Sequence, residues 1–369
     1  MKFNVKIEDI AAEVKDNILV IWSKTPLKIL SSAILNGGLR EANGIINVQV
    51  PEGTGSDKSD VHWSPEKFLN KEAQRLQFPE KKVVALMTAA KMQNLAVYSE
   101  MCGKTVLTVF ATAGSTVAVT AGEPAASFKG NKIERVGTIN IILIVDGNLT
   151  EGCMVEAIKT LTEAKTVALR ELDIRSQFSG DLATGTLTDS VVVACTKKGD
   201  PIQYAGTFTL LGELIGKCVR KAVKEAMCKQ EKLAPNRTLM ERLAERGISS
   251  ELIMSLADEA KVKFESSEKL QRQVDLILSD QKIVPLLIAA LRLDDDLEKG
   301  LIPKDQMNNI DNAVFEEIIM AALKCSLYDE KNLFAYVEKK RNDKDRLGPS
   351  TKCLLIAILE KACSEAKIS

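Results

Sequence analysis

GTINIILIVDGNLTEGCMVEAIKTLTEAKTVALREL, residues 137–172, contains the two types of element that decide the fold of this 369-residue chain. Its first part, residues 138–145, is apolar and rich in isoleucine and valine, which predicts a buried strand. Apolar residues then recur every three to four positions over residues 151–172, and Thr150 stands where a helix N-cap is favoured. This strand and long helix predict a layered domain in which helices pack on a sheet.

Outward from this stretch, the first 230 residues contain short strands bounded by glycine and a second long helix at residues 209–229. The other predicted strands are residues 5–7, 18–22, 45–50, 83–87, 95–98, 106–111 and 191–195. Because strands and helices do not alternate regularly, the pattern favours an α+β domain over a Rossmann-like fold.

The pattern changes after a polar, proline-containing stretch at residues 229–237, which is typical of a linker. Beyond it, helices are predicted at residues 239–245, 250–261, 270–279, 283–297, 313–326, 331–340 and 351–366. We therefore expect two domains, a layered α+β domain at residues 1–230 and a small all-α domain at residues 236–369.

The composition excludes several classes of function. Fifty basic residues balance fifty acidic ones, which argues against a nucleic-acid partner, and no apolar run approaches the ~20 residues of a membrane span. With no secretory leader, we expect a cytoplasmic protein. The eight cysteines form no Cys-x-x-Cys pair, so we interpret them as reduced core residues, with a nucleophilic Cys102 as the alternative. No Walker loop is present.

Small hydroxyl and amide residues collect beside glycine at residues 31–38, 112–115, 137–140, 183–189 and 204–207. Glycine lets the backbone approach a ligand closely, while Ser, Thr and Asn supply neutral hydrogen-bonding groups. These loops suit a ligand rich in amides. The alternative is that each is an ordinary strand end or turn.

Four residues are candidates for catalysis. His62 is the single histidine, so any imidazole proton transfer must use it, although a lone histidine is often a surface or packing residue. Asp189 ends a run with three threonines, where it would serve as a general base or orient a hydroxyl such as that of Thr186. A turn cap is the alternative for Asp189. Glu163 is a further candidate, with a solvated helix position as the alternative.

A series of motifs in the first domain resembles the adenosylcobinamide amidohydrolase family, CbiZ. The motifs are SSA and LNGG at residues 31–38, NVQVP at 47–51, MTAA at 87–90, TAG at 112–114, GTIN at 137–140, TEAKT at 162–166, ATGT at 183–186, TD at 188–189, YAGT at 204–207 and LGELIG at 211–216. The resemblance implies hydrolysis of the amide between the aminopropanol arm and the corrin ring of adenosylcobinamide, which yields adenosylcobyric acid.

The corrin rim carries amide groups, and the resemblance implies that residues of these motifs bind it. No cofactor is implied for this reaction. The implied substrate-binding residues are Asn36, Gly37, Gly38, Asn47, Thr138, Asn140, Thr184, Tyr204 and Thr207.

The second domain resembles the helical family of YutG and phosphatidylglycerophosphatase A, which includes an α-ribazole-phosphate phosphatase. The matching segments are residues 243–248, 291–303 and 334–339, and the whole chain resembles the bifunctional CbiS enzymes of methanogenic archaea. This implies removal of phosphate from α-ribazole phosphate with Mg²⁺ bound by acidic residues. The candidate ligands are Asp294, Asp295, Glu298, Glu316 and Glu317, with a charged helix face as the alternative.

The sequence departs from the wider phosphatase family at residues 350–353, which read STKC where an Asp-Asp pair is expected. Three interpretations therefore stand: a bifunctional salvage enzyme, a single-activity amidohydrolase with a helical interaction module, and a non-catalytic corrinoid carrier. All three have a small corrinoid as ligand, and self-association into a homo-oligomer is a further expectation.

Overall fold

The computed structural model describes residues 1–51, 64–103, 105–124, 137–231, 238–259, 266–280 and 283–301, together with 351, 354–355, 358–359 and 362. The chain divides into two compact units, Met1–Pro235 and Asn236–Ser369. The first unit has a mixed α/β fold, and it contains the candidate site.

The first unit is built on a mixed sheet that curls around its own core. In chain order the described strands of this unit are β1 (Lys2–Phe3), β2 (Ile10–Lys15), β3 (Ile18–Ser31), β4 (Gly38–Gln49), β5 (Val83–Thr88), β6 (Ala96–Cys102), β7 (Thr105–Ala113), β8 (Ala118–Val119), β9 (Ile139–Asp146), β10 (Asn148–Leu149), β11 (Gly185–Thr186), β12 (Ser190–Cys195) and β13 (Pro201–Ile202).

The long strand β3 organises this sheet. One edge of β3 pairs antiparallel with β2 and then with β12, and β9, β7 and β6 follow β12 outward. The other edge of β3 pairs with β4, which pairs in parallel with β5. The pairs β8–β11 and β10–β13 form two small separate sheets.

Three long helices cover the outer faces of the sheet. They are α1 (Pro65–Arg75), α2 (Glu151–Glu171) and α3 (Leu210–Glu231). The predicted start of α2 is confirmed, because the Thr150 side chain accepts a hydrogen bond from the Cys153 backbone N–H at 3.2 Å. Both α2 and α3 are amphipathic, and their apolar sides are buried against β7, β9 and β12.

The core of this unit lies in three layers. An inner cluster fills the curl of the sheet, with Leu19, Leu86 and Phe110 among its buried members. A second cluster lies between the outer face of β7, β9 and β12 and the two helices α2 and α3. A third lies under α1, where Leu69 packs on the outer face of β4 and β5. Successive residues of β9 and β12 thus face different cores, which explains their continuous apolar sequences.

The structure corrects two expectations about the first strands. The predicted strand at residues 5–7 is wrong: this segment bends toward Asp9, which has a left-handed φ of 65°, although Ile7 is buried. The pairing strands are β1 and β2. The strand predicted at residues 18–22 continues to Ser31, through a register shift after Trp22 where β3 changes its partner from β2 to β12.

The described elements of the second unit are helices: α4 (Leu239–Ala244), α5 (Ser250–Glu259), α6 (Ser267–Leu278) and α7 (Ile283–Glu298). Their apolar sides form one buried cluster that also includes Leu355 and Ile358. Residues 302–350 lie outside the described part of the chain, as do the helices predicted there, so the all-α domain stays a prediction. Within the described residues, every helix is too short or too polar to cross a bilayer.

Candidate active site

Asp189 is the centre of a compact hydrogen-bonded cluster at the start of β12. Its Oδ1 accepts hydrogen bonds from the Thr186 hydroxyl, from the Thr186 backbone N–H at 3.2 Å and from the Ile139 N–H at 3.1 Å. Its Oδ2 accepts from the Lys165 ammonium of α2. The predicted turn cap and the predicted partnership with Thr186 therefore occur together, on a carboxylate held by four donors.

The Asp189–Lys165 ion pair is largely removed from solvent, with side-chain exposures of 14% for Asp189 and 10% for Lys165. Charges at such a site interact more strongly than charges at the surface, because less water screens them. Thr186 is a buried residue, and its hydroxyl donates directly to this carboxylate. This arrangement, a hydroxyl bonded to a fixed carboxylate, is one that general-base chemistry uses.

Two further threonines adjoin the cluster. The Thr138 and Thr188 hydroxyls lie 2.8 Å apart, and the Thr188 hydroxyl also donates to the Gly137 carbonyl at 3.2 Å. The Gly137 position is closely packed, since a Cβ there would lie 2.7 Å from the Gly114 carbonyl oxygen. The motifs at residues 137–140 and 183–189 are thus brought together in space.

A buried polar layer lies on the inner face at the same end of the sheet. Its six side chains come from six different strands, and each lies two residues from an apolar member of the inner cluster on its own strand. All six are at most 8% exposed. We define the polar layer as Ser31, Asn47, Thr88, Thr112, Asn140 and Ser190.

The carboxamides of the polar layer bond to each other, to a threonine hydroxyl and to a backbone carbonyl. The Asn47 Nδ2 donates to the Thr112 hydroxyl at 3.0 Å, and the Asn140 Nδ2 donates to the Asn47 Oδ1 and the Met87 carbonyl, each at 2.9 Å. Within the polar layer, two buried polar atoms have no hydrogen-bond partner among the described residues, the Asn140 Oδ1 and the Ser31 Oγ. Buried polar atoms are normally hydrogen-bonded, so these two are available to a ligand or to water.

The polar layer and the Asp189 cluster share the same strand ends. Ile139 donates its N–H to Asp189, and the next residue, Asn140, pairs in the sheet with Ser190, which follows Asp189. Since successive side chains point to opposite faces of a sheet, Asn140 faces the inner core while Ile139 faces the helix side. The two features therefore lie back to back at one end of the molecule's sheet.

Several predicted substrate-binding residues shape turns, and their binding of substrate stays a prediction. Asn36 has a left-handed φ of 57° and donates from its Nδ2 to the Val83 carbonyl at 2.8 Å, while Gly38 has a φ of 81°. A Cβ on Gly37 would press on the Ala33 backbone. The Thr184 hydroxyl accepts from the Ala121 N–H at 2.9 Å. These contacts fix the turn between β3 and β4 and the approach to β11.

Glu163 and Thr207 lie together, but in a different place. Both line a surface groove of about 860 Å³ between α2 and α3, on the side of α2 that carries no contact to Asp189. Further along this groove Glu171 accepts hydrogen bonds from Lys224 and Arg220, which lower its pKa. Glu163 is exposed, in keeping with a solvated helix position.

Tyr204 is 64% exposed, and its side chain is on the surface. His62 lies outside the described residues, and so does the side chain of Cys102.

Cys153 and Cys218 are buried within the core, and burial raises the pKa of each thiol to about 11. These two cysteines fit the interpretation as core residues.

The acidic residues predicted to bind Mg²⁺ are only partly described. The Asp294 Oδ2 accepts a hydrogen bond from the Thr351 backbone N–H at 2.8 Å, which engages this carboxylate in holding two segments of the second unit together. Glu316 and Glu317 lie outside the described residues, as does the Glu298 side chain. Among the side chains that are described, no three acidic, His or Cys groups meet as a metal site would require.

Sequence reasoning left Lys165, Thr88 and Thr112 out of the predicted site. Lys165 had a signal: residues 157, 161, 165 and 169 form one i, i+4 row on α2, and the other three are buried apolar residues. A lysine in such a row needs a partner in the fold. Thr88 and Thr112 lie within the motifs at residues 87–90 and 112–114, but their meeting with Asn47 could not be predicted, because only the curl of the sheet brings β5 and β7 to Asn47.

Comparison with known proteins gives a consistent result for the first unit. The family model for adenosylcobinamide amidohydrolase matches residues 2–235. An adenosylcobinamide amidohydrolase of Methanosarcina mazei is 33% identical over 223 residues, 58% of this chain and 96% of the relative. One from Halobacterium salinarum is 23% identical over 209 residues, 54% of this chain and 80% of the relative. An uncharacterised protein of Methanocaldococcus jannaschii is 37% identical over 244 residues, 62% and 92% of the two chains.

Among solved structures, the PH0078 protein from Pyrococcus horikoshii aligns with a TM-score of 0.29 and 13% identity, covering 58% of this chain and 78% of that chain. This likeness is too low to support an argument about fold or function.

Proposed function

The chain belongs to the adenosylcobinamide amidohydrolase family, and from that premise we propose that it hydrolyses the amide between the aminopropanol arm and the corrin ring of adenosylcobinamide. Water supplies a hydroxyl to the carbonyl carbon, the C–N bond breaks, and a proton passes to the leaving amine. The products are adenosylcobyric acid and aminopropanol. The observation that carries the proposal is the partly buried hydrogen bond from the Thr186 hydroxyl to the Asp189 carboxylate.

Asp189 is proposed to accept the proton of the attacking group. Two routes fit the geometry: the Thr186 hydroxyl attacks the carbonyl carbon and forms an ester that water then hydrolyses, or it holds the water molecule that attacks the carbonyl carbon itself. In both, the Ile139 and Thr186 backbone N–H groups hold Oδ1 in place, so that little reorganisation is needed when the proton moves.

The polar layer is proposed to hydrogen-bond the amide groups of the macrocycle. The Asn47 Nδ2 donates to Thr112 and its Oδ1 accepts from Asn140, so both polar atoms of this carboxamide are used within the layer. Asn47 therefore holds the Asn140 side chain in place. The Asn140 Oδ1 and the Ser31 Oγ are then the atoms left to accept a donor from the substrate. A ligand with carboxamide donors matches this requirement, because an unmatched buried acceptor costs about 1–3 kcal/mol.

The test is an assay of the purified full chain with adenosylcobinamide, with products identified by mass spectrometry. We expect adenosylcobyric acid and aminopropanol in equal amounts. Tight binding of adenosylcobinamide with no cleavage would instead identify a corrinoid carrier. A control with cobinamide lacking the upper adenosyl ligand shows whether that ligand is needed.

The phosphatase activity of the second unit remains a separate prediction from the sequence. Its proposed Mg²⁺ ligands are those named above, and the hydrogen bond between Asp294 and Thr351 gives one of them a structural role as well. Release of phosphate from α-ribazole phosphate by the full chain, with and without Mg²⁺, tests it. A single-activity amidohydrolase would release none.

A further inference from the structure

Lys165 is a buried lysine with a specific partner. It is 8% exposed, and among the described residues it is the one lysine in the buried class. Its neighbours on the same side of α2 are apolar residues packed on the sheet, Leu161 and Leu169 among them. Removing an ammonium group from water is costly, so such a lysine persists only where an acidic partner compensates it.

Stability alone does not account for the pair of Lys165 and Asp189. Replacing a buried ion pair by apolar side chains of similar size is often neutral or stabilising, because the desolvation cost offsets the attraction. The apolar surroundings of Lys165 would accept a leucine or methionine in this helix position. A role in the chemistry of the neighbouring Asp189 and Thr186 gives a reason for keeping the charges.

Gly185, which has no side chain, leaves the space that the Lys165–Asp189 ion pair occupies. A Cβ on this residue would lie 2.8 Å from the Lys165 Nζ and 3.4 Å from the Asp189 Cγ, and it would contact the Asp189 Oδ2. Gly185 is not among the residues with a positive φ, so its backbone conformation does not require glycine. The absence of a side chain is needed here because the ion pair fills that space.

The two oxygens of Asp189 have different partners. Oδ2 faces Lys165, whereas Oδ1 faces the Thr186 hydroxyl and two backbone N–H groups. A carboxylate held at both oxygens cannot rotate about its Cβ–Cγ bond without breaking one set of contacts. Lys165 therefore determines which oxygen meets the hydroxyl, and in what orientation.

We infer that Lys165, with the space left by Gly185, is a positioning residue that orients the Asp189 carboxylate for proton transfer from the attacking hydroxyl or water. This inference rests on the proposed amide hydrolysis. Lys165 acts through Asp189, so its loss should slow the chemical step and leave substrate binding intact.

The test compares the full-length variants Lys165→Ala and Gly185→Ala with the wild-type protein, using Lys159→Ala as the control on an exposed position of the same helix. We expect kcat for adenosylcobinamide to fall about 100-fold in both test variants, the order seen for a misplaced catalytic group, with KM nearly unchanged. Added ethylammonium should restore part of the lost kcat in Lys165→Ala only, because it supplies a cation to the vacated space.

Circular dichroism and thermal unfolding show whether each variant is folded. If Lys165→Ala does not fold, Gly185→Ala decides, since it keeps both charges and displaces them. A folded variant of either kind with wild-type kcat overturns the inference, and so does a kcat loss in Lys165→Ala that ethylammonium does not relieve. A wild-type protein that leaves adenosylcobinamide intact refutes the proposed function, and this inference with it.

Discussion

The hydroxyl of Thr186 is the residue-scale feature on which the proposed chemistry depends. Thr186→Val removes the hydroxyl while keeping the shape of the side chain, and we expect kcat to fall by about 10²–10⁴, the range typical of general acid–base groups. Thr186→Ser keeps a hydroxyl and should retain most of the activity. Steady-state kinetics on both variants check this. Equal activity of the valine and serine variants would show that the hydroxyl takes no part.

Two buried cysteines give a second residue-scale prediction. Because burial raises the pKa of Cys153 and Cys218 to about 11, both thiols stay protonated at pH 8, and the protonated thiol is unreactive toward iodoacetamide. Mass spectrometry of the alkylated native protein should find both unmodified, with the half-buried Cys228 as the labelled control. Protection should be lost on unfolding. Rapid labelling of either cysteine at pH 8 in the folded protein would contradict the account.

Residue-scale reasoning from sequence identified the members of the Asp189 cluster only in part. Asp189 and Thr186 are three residues apart, so their contact follows from a local turn that the sequence suggested. Lys165 is 24 residues away along the chain, and its contact exists only because α2 returns across the sheet. The local sequence indicated that this buried lysine needs an acidic partner, but it did not indicate that the partner is Asp189.

At the scale of elements, the N-cap of α2 can be tested directly. Thr150→Ala should lower the free energy of unfolding by about 1 kcal/mol, because the Cys153 N–H loses its side-chain acceptor. Thr162→Ala, in the exposed middle of the same helix, is the matched control. Its hydroxyl donates to the Ile158 carbonyl, which is already engaged by the helix, so its removal should change stability by less than about 0.5 kcal/mol.

Chemical denaturation of both variants provides the measurement. A destabilisation that is equal in Thr150→Ala and Thr162→Ala would show that loss of a threonine hydroxyl anywhere on the helix, and not loss of the cap, is responsible, because alanine itself has the higher helix propensity. Such a result would remove the physical reason given for the start of α2.

The elements that sequence predicted well are those with strong local periodicity. Helix α2 and strand β9 follow from the opening stretch, and their bounds differ from the prediction by one residue at most at each end. Strand β3 was predicted too short, because the polar residues and Pro26 after Trp22 look like a strand end. They lie at the register shift where β3 changes partners. This change of pairing depends on the tertiary structure, so the local sequence does not predict it.

For the whole molecule, the first unit should function alone. Its three hydrophobic clusters and the whole candidate active site lie within residues 1–235. We expect a chain ending at residue 235 to unfold cooperatively and to hydrolyse adenosylcobinamide with the kcat of the full chain. Calorimetry and kinetics test both points. A folded but inactive fragment would show that the second unit contributes to the reaction.

The polar layer shows why the site as a whole was beyond sequence reasoning. Asn47 and Asn140 were named as separate substrate-binding candidates, and the structure makes them partners of each other through the curl of the sheet. The sequence separation of 93 residues gives no hint of this contact. Composition identified a chain rich in small polar residues near glycine, and the fold decides which of them face inward together.

The central claim is that Asp189 takes part in amide hydrolysis, and one comparison tests it most directly: kcat/KM for adenosylcobinamide in Asp189→Asn against Asp173→Asn. Asp173 is a fitting control, because it too is a largely buried carboxylate paired with a basic side chain, Arg175, and asparagine tolerates its left-handed φ of 52°. We predict a loss of at least about 100-fold for Asp189→Asn and near wild-type activity for Asp173→Asn. Wild-type activity in folded Asp189→Asn, or an equal loss in both variants, would contradict the claim.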